Sequence, residues 1–488
     1  MIIFDTLKLE EKYELIIGLE VHAQLNTNSK IFCADSAKYG AEPNTQISVV
    51  SLAYPGTLPF LNRKVIEQAV MLGLALHCNI NRNNFFARKN YFYPDLPKGY
   101  QLTQDTEPIC KGGYITIQSQ NSERHIKLNR IHLEEDAGKS LHNADPLFTC
   151  IDFNRAGVPL VEIVSEPDMH SSEDAYAYLT ELRRMVRWIE VCDGNMEEGS
   201  MRCDANVSIR LKGVTTLGTR VEIKNLNSIR NVKKAIEVEF ERLVEMAEKN
   251  IKIQQETRSF DAENNCTFSL RSKEKADDYR YFPDPDLPPV ILSEKYISDI
   301  YDQLPALPYA LKNKYLKEYG LTETDTSVLL SDKDTSTYFE SIIKYNKSYK
   351  AIANWITGPI KYFCNENNIT INKFPVKPEA LASLIQITES GKLSFNNASL
   401  KVLPALITQP SKAPYEIASA MNLLQQSDNA ELEKWVLQVL STVPEKVSEY
   451  KKGKRSLQGF FAGEVKKLSK GKADMKIVNE LLIKLLNQ

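Results

Sequence analysis

GLEVHAQL, residues 18–25, alternates strictly: Leu19, Val21, Ala23 and Leu25 share one side of a strand, and Glu20, His22 and Gln24 share the other. Three further segments set carboxylates among apolar, strand-like runs: HLEEDAGKS (132–140), PLVEIVSEPD (159–168) and MEEGSMRCDANVSI (196–209). In the last, Asp204, Asn206, Ser208 and Arg210 line a polar face while Val207 and Ile209 face a core; in PLVEIVSE, Glu162 and Val164 lie on one side. Acids inside β-type sequence must reach solvent or meet positive charge, because an isolated buried carboxylate is costly. Simple amphipathicity explains any one of these strands. Four in one region point to a site. Oxygen donors with one histidine and no thiolate suit Mg²⁺, with Mn²⁺ possible, better than zinc. Magnesium on carboxylates commonly serves phosphoryl transfer. The chain has no GxxxxGK[ST] loop, no GxGxxG after a strand and no kinase signature, so ATP would need a different, sheet-built cradle.

The 488 residues allow two to four domains. With 61 Lys+Arg against 63 Asp+Glu the formal charge is −2, so any nucleic-acid surface must be local. The first residues read neither as a signal peptide nor as a transit peptide, and no apolar run approaches a membrane span. A cytoplasmic location is expected, with neither membrane nor DNA as a partner. Eight cysteines (Cys33, Cys78, Cys110, Cys150, Cys192, Cys203, Cys266 and Cys364) are scattered without a CxxC pair, which argues against disulfides and a thiolate zinc site.

Composition divides the chain in three. Residues 1–292 are β-rich, hold all six histidines, and are interrupted by helical periodicity at 65–79, 171–191 and 228–250. In the second of these, Ser171 and Ser172 offer N-cap oxygens, and Glu173 and Asp174 suit the first turn. The punctuation DPDLPPV (284–290) precedes a mostly helical stretch, 293–408, and a second proline-bearing break, LPALITQPSKAP (403–414), precedes a helical module, 409–488. Residues 451–488 carry ten Lys/Arg and three Asp/Glu, 10 − 3 = +7, which suggests an anionic partner at that end or a solvated amphipathic tail. Two aromatic-proline loops, RKNYFYPDLPKGYQ (88–101) and DDYRYFPDPDLP (277–288), interleave rings with cations that suit a nucleotide or an RNA end, or simply a packed loop.

Taken in order, IGLEVHAQL (17–25), YGAEPNTQ (39–46), LAYPGTLP (52–59), RKNYFYPDLPKGYQ, HLEEDAGKS, NRAGVPLVEIVSEPD (154–168), MEEGSMRCDANVSIR (196–210), EIKNLNS (222–228) and the 277–288 loop resemble the B-subunit family of bacterial aspartyl/glutamyl-tRNA amidotransferases. The segment 453–482 resembles the family's tail motif. The resemblance implies an α+β protein: a glutamine-synthetase-like β-rich cradle domain (1–292), an all-α helical domain (293–408) and an α-helical tail domain that binds tRNA (409–488). It implies a heterotrimer with a glutaminase A subunit and a C subunit. With ATP and Mg²⁺, the side-chain carboxylate of Glu-tRNA(Gln) or Asp-tRNA(Asn) would be phosphorylated and then amidated by channelled ammonia.

Carried over by motif, the implied metal ligands are Glu20, His22, Glu135, Glu162 and Asp204, with Glu135 and His22 as catalytic residues. Lys89, Lys98 and Glu135 fall at the implied ammonia channel. The basic residues Lys451, Lys452, Lys454, Arg455, Lys466, Lys467, Lys470 and Lys472 are implied to meet tRNA. Some family members carry a CxC…CxxC zinc motif; the matching positions here are Cys33, Asp35, Ser48 and Ser51, so no zinc is expected and packing must hold that loop. Two other classes stay open on the residues alone. An ATP-dependent amide ligase acting on a free small-molecule carboxylate would work without tRNA. A non-enzymatic RNA-binding or assembly subunit would bind neither metal nor nucleotide.

Overall fold

The computed structural model describes residues 12–119, 122–142, 144–272, 279–425, 429–469 and 472–487. The chain forms two compact units, Met1–Leu307 and Pro308–Gln488, one mixed α+β and the other helical.

The first unit is built on a thirteen-stranded sheet. Its longer strands are β1 (Tyr13–Gln24), β2 (Ala87–Asn90), β3 (Tyr100–Thr103), β4 (Tyr114–Ser119), β5 (Ser122–Glu135), β6 (Pro159–Ser165), β7 (Met201–Leu211), β8 (Val221–Leu226), β9 (Glu256–Asp261) and β10 (Cys266–Ser272). Their order is β10-β9-β8-β7-β1-β6-β5-β3-β2, with β4 also paired to β5. The strand containing GLEVHAQL is therefore central, antiparallel to β6 on one side and β7 on the other. Its alternation is real: Leu19, Val21 and Ala23 are buried, and Glu20, His22 and Gln24 are half-buried on the opposite face.

Three helices cover this unit where periodicity predicts them, α1 (Arg63–Ala75), α2 (Ser172–Trp188) and α3 (Ile229–Glu248). Ser171 Oγ caps α2 by accepting from Asp174 N at 3.1 Å, and Ser228 caps α3 through Asn231 N at 3.1 Å. Ala175, Leu179, Leu182 and Val186 form the stripe of α2 that is fully buried against α3 and β4; emptying one such leucine site costs about 2–5 kcal/mol. A further helix, α4 (Glu294–Tyr301), packs on α1, and Trp188 Nε1 donates to Ala306 O at 3.0 Å. These contacts carry the first unit past residue 292.

In the second unit, prolines shape the helices. Pro308 starts a helix, Pro308–Lys317, where its missing N–H costs no hydrogen bond. Pro359 lies in a widened π turn, Ile356–Ile360, between Tyr349–Trp355 and Lys361–Glu366; the wider turn accommodates its missing N–H. Four helices, Asn429–Thr442, Pro444–Lys451, Leu457–Leu468 and Met475–Leu486, share a core of Leu432, Val436, Phe461, Val465, Val478 and Leu482 with their neighbours. Among the described residues, no helix is long and apolar enough to cross a membrane.

Candidate active site

Strand register assembles the polar face of the sheet. His132 of β5, Glu162 of β6, His22 of β1 and Arg202 of β7 form one cross-strand row. Arg130, Val164, Glu20 and Asp204 form the next. Directly paired residues project to the same side of a sheet, so Glu20, His22, Glu162 and Asp204, four of the five expected ligands, share one face.

His22 Nε2 lies 3.4 Å from Glu162 Oε2 and 3.5 Å from Glu134 Oε1. His132 Nε2 lies 3.2 Å from the same Glu162 oxygen. Donor atoms of His22, Glu134 and Glu162 all fall within 4.8 Å of one another. Octahedral ligands about 2.1 Å from Mg²⁺ stand about 3–4 Å apart, so this one-nitrogen, oxygen-rich set fits a hard divalent cation after small side-chain adjustments. Glu20 Oε1 accepts from Asn206 Nδ2 at 2.9 Å, and Asp204 Oδ2 accepts from Lys224 Nζ at 2.7 Å. Both line the same cavity as the trio, about 830 Å³ in volume, together with Lys89 and Arg202.

The electrostatics follow from crowding acids on a half-buried face. Burial works against a charged His132, but Glu162 and Glu134 outweigh it and raise its pKa to about 9. His22 is raised too, with burial again opposed by Glu162, Glu134 and Asp204. Burial pushes Glu162 up, yet the two imidazoles hold it well below the usual carboxylate range. For Glu20, burial and then the neighbouring Glu162, Glu222 and Asp204 raise the pKa. The two imidazoles thus offset the acids, a place that a divalent cation would share or take over.

Glu135, expected among the ligands, lies apart from the trio: alternation turns it away from Glu134 and onto the opposite face of the sheet. There its Oε2 accepts from Lys98 Nζ at 2.6 Å, its Oε1 accepts from Leu102 N at 2.8 Å, and its backbone carbonyl accepts from Gln101 Nε2 at 2.9 Å. With Lys30, Phe32, Tyr100 and Asp136 it lines a second cavity of about 220 Å³. Of the expected channel residues, Lys98 and Glu135 come together here. Lys89 does not; it lines the acid-face cavity, with Nζ 4.8 Å from the Tyr279 ring and 5.5 Å from that of Tyr91.

The sequence reading missed Glu134 and His132, although the signal was present. In HLEED, His132 and Glu134 share parity, and pairing of His132 with Glu162 fixes which side they face. Asp136, just past β5, holds Arg202 through two contacts of 3.1 Å and accepts from Gln24 Nε2 at 2.8 Å, which fixes the end of the acid row.

Elsewhere, Asp35 Oδ2 collects three donors: Ser51 Oγ at 2.6 Å, Ser48 Oγ at 2.9 Å and Cys33 Sγ at 3.3 Å. Burial pushes the Cys33 thiol up to about 11, so it stays protonated and donates. A carboxylate is thus the hub where the four matched positions meet.

In the tail, Lys451, Lys452 and Lys466 are exposed. Lys454 bridges to Glu449 at 3.1 Å, Lys467 to Glu464 at 2.6 Å, and Arg455 lies over the Tyr450 ring. Lys472 donates to Asn422 Oδ1 at 3.1 Å. Lys470 lies outside the described residues.

The family described as the GatB/GatE catalytic domain matches residues 15–298, and the GatB domain matches 337–486. A protein from Geotalea daltonii, named as the B subunit of aspartyl/glutamyl-tRNA(Asn/Gln) amidotransferase, is 48% identical over 478 residues, 97% of this chain and 99% of its own. Proteins of the same name from Thermodesulfovibrio yellowstonii and Persephonella marina are each 46% identical, over 98% and 97% of this chain and 100% of their own. A sheet face of convergent acids and histidines, inside a chain matched nearly end to end, places this protein in the B-subunit family of the aspartyl/glutamyl-tRNA(Asn/Gln) amidotransferases.

Proposed function

We propose that the protein performs the transamidation of its family, as a glutamine-dependent carbon–nitrogen ligase subunit that converts Glu-tRNA(Gln), Asp-tRNA(Asn) or both to the amide form. The observation that carries this reading is the convergence of His22, Glu134 and Glu162 in a chain aligned throughout with B-subunit relatives. None of the relatives described above is named as a ligase of free carboxylates, so that alternative gains no support.

A side-chain carboxylate is a poor electrophile, and phosphorylation by ATP gives it a leaving group that ammonia then displaces. Mg²⁺ or Mn²⁺, held by His22, Glu134 and Glu162 with Glu20 and Asp204 beside them, would supply charge neutralisation for that transfer. Glu162 carries the negative charge for this set, and His22 presents its Nε2 to both carboxylates. Arg202, fixed by Asp136, closes the row so that these side chains have few alternative rotamers.

Ammonia must arrive without water, because water would hydrolyse an acyl phosphate. The cavity behind the sheet suits its delivery. Glu135 and Lys98 offer hydrogen-bonding groups there, and Phe32, Leu96 and Tyr100 supply apolar wall. Lys89, on the acid face, fits the outlet. The partners would be a glutaminase A subunit and a small C subunit in a heterotrimer, working in the cytoplasm with translation. Residues 1–292 would be the glutamine-synthetase-like cradle, residues 293–408 the helical domain and 409–488 the tRNA-binding tail.

Reconstitution with A and C subunits tests this directly. With ATP, Mg²⁺ and glutamine, Glu-tRNA(Gln) or Asp-tRNA(Asn) should be converted to its amide form. Failure with both substrates, using tRNA of proven charging, would sink the reading.

A further inference from the structure

The cations that line the two cavities over the acid face differ in their partners. Arg202 is clamped by Asp136, and Lys224 by Asp204 and Glu222. Arg130 and Arg220 have no carboxylate within ion-pair reach among the described residues. Arg130 Nε lies 3.4 Å from His132 Nδ1. Arg220, exposed at the entry to β8, makes no side-chain hydrogen bond among the described residues. Both line one cavity of about 430 Å³ together with Glu20, His132, Glu134 and Glu162.

We propose that Arg130 and Arg220 are the residues that contact the phosphates of a nucleoside triphosphate bound across the His22–Glu134–Glu162 face. This rests on the functional reading above and names residues for a ligand which that reading leaves unplaced. Three observations carry it. Arg130 sits on β5 two residues before His132, in the row next to His132–Glu162–His22. Arg220 precedes β8, which approaches the same face from the far side of β7. The two guanidinium groups therefore approach the acid rows from different strands.

The third observation is charge. Glu20, Glu134 and Glu162 disfavour a free anion that has no cation between it and them. A polyphosphate would differ, because a cation held by those acids would offset part of its charge while its other oxygens would take forked guanidinium donors. Arginine suits this task through its planar, paired N–H geometry. Lys89, beside the Tyr91 and Tyr279 rings, adds a third cation to the same rim. A phosphate of the tRNA backbone is the competing occupant and becomes an outcome of the test.

Arg220→Ala is the deciding variant, since Arg130→Ala would also disturb His132. In the assembled heterotrimer, Arg220→Ala should raise KM for ATP by about tenfold or more, with Arg220→Lys recovering part of the loss. Calorimetry with ADP and Mg²⁺ should register a matching fall in affinity of about tenfold, while filter binding of tRNA and the melting temperature stay at wild-type values. ADP affinity equal to wild type would overturn the proposal, as would a loss confined to tRNA binding. A wild-type complex that binds ADP but forms no amide would count against the functional reading alone, because the Arg220 comparison is read in nucleotide affinity.

Discussion

Glu134 and Glu135 are adjacent in sequence and serve opposite faces of one sheet. Glu134 Oε1 stands 3.5 Å from His22 Nε2, whereas Glu135 Oε2 accepts from Lys98 Nζ at 2.6 Å. Two substitutions of the same chemistry should therefore have different effects. Glu134→Gln should weaken Mg²⁺ or Mn²⁺ binding by at least about tenfold and stop amide formation. Glu135→Gln should leave metal affinity within about twofold of wild type and instead uncouple glutamine hydrolysis from amide formation. Calorimetry with each metal, and the ratio of amide formed to glutamine consumed, separate the two. Equal loss of metal affinity in both variants would return Glu135 to the ligand set.

Chelation should divide activity from stability. EDTA is expected to abolish transamidation reversibly, and His22→Ala to do so permanently, by about 10²-fold or more, with tRNA binding retained. The loop around Asp35 should be indifferent to a zinc chelator, because three hydrogen bonds converge on its carboxylate. Asp35→Ala should lower stability by about 1–3 kcal/mol by stranding those donors. A drop in melting temperature on zinc chelation would show that a metal, rather than this knot, holds the loop.

The polar face was legible because period-two alternation needs no partner: GLEVH declares which of its residues travel together. What a single strand does not declare is its neighbour. That His132 lies beside Glu162, and Glu162 beside His22, depends on β6 sitting between β1 and β5, and β1 is more than a hundred residues away from β6 in sequence. Parity within HLEED would have separated Glu134 from Glu135, but a motif carried over whole hides parity. The helices of the first unit were legible from their caps and stripes. In the second unit, Pro359 does not interrupt the helical run, because a π turn absorbs what would otherwise be a break.

Asp174 links α2 to the sheet and should give stability a pH dependence. Its carboxylate accepts from Ser119 Oγ at 2.6 Å, Arg124 NH1 at 2.7 Å and His170 N at 3.1 Å. Burial raises its pKa, but these donors prevail and hold it below its usual value. A depressed folded-state pKa contributes stability above the unfolded value and loses it as pH falls through the folded one. Asp174→Asn should therefore cost about 1–3 kcal/mol at neutral pH, and the gap should shrink below about pH 4. Urea unfolding of both proteins at pH 7 and pH 3.5 measures it; a gap that grows on acidification would reverse the assignment.

The tail should be separable, but not at the proline-rich break. Pro414–Ala420 packs on Pro378–Glu389, with Ile417 and Ala418 buried, so a cut at 409 would strip the preceding helices of cover. The four helices from Asn429 share their own core, which makes removal of 429–488 the cleaner truncation. Within that module, Lys451, Lys452 and Lys466 are exposed and meet no carboxylate among the described residues, unlike Lys454 and Lys467. Charge left uncompensated on a surface is what binding to phosphate requires. Deleting 429–488 should weaken tRNA binding by at least about tenfold while glutamine hydrolysis by the glutaminase continues. Changing the three free lysines to alanine should reduce the salt dependence of tRNA binding by about one unit of slope for each lysine that had neutralised a phosphate. A filter-binding isotherm and salt slope unchanged by both alterations would mean that the tail is a solvated amphipathic module and that tRNA is held elsewhere.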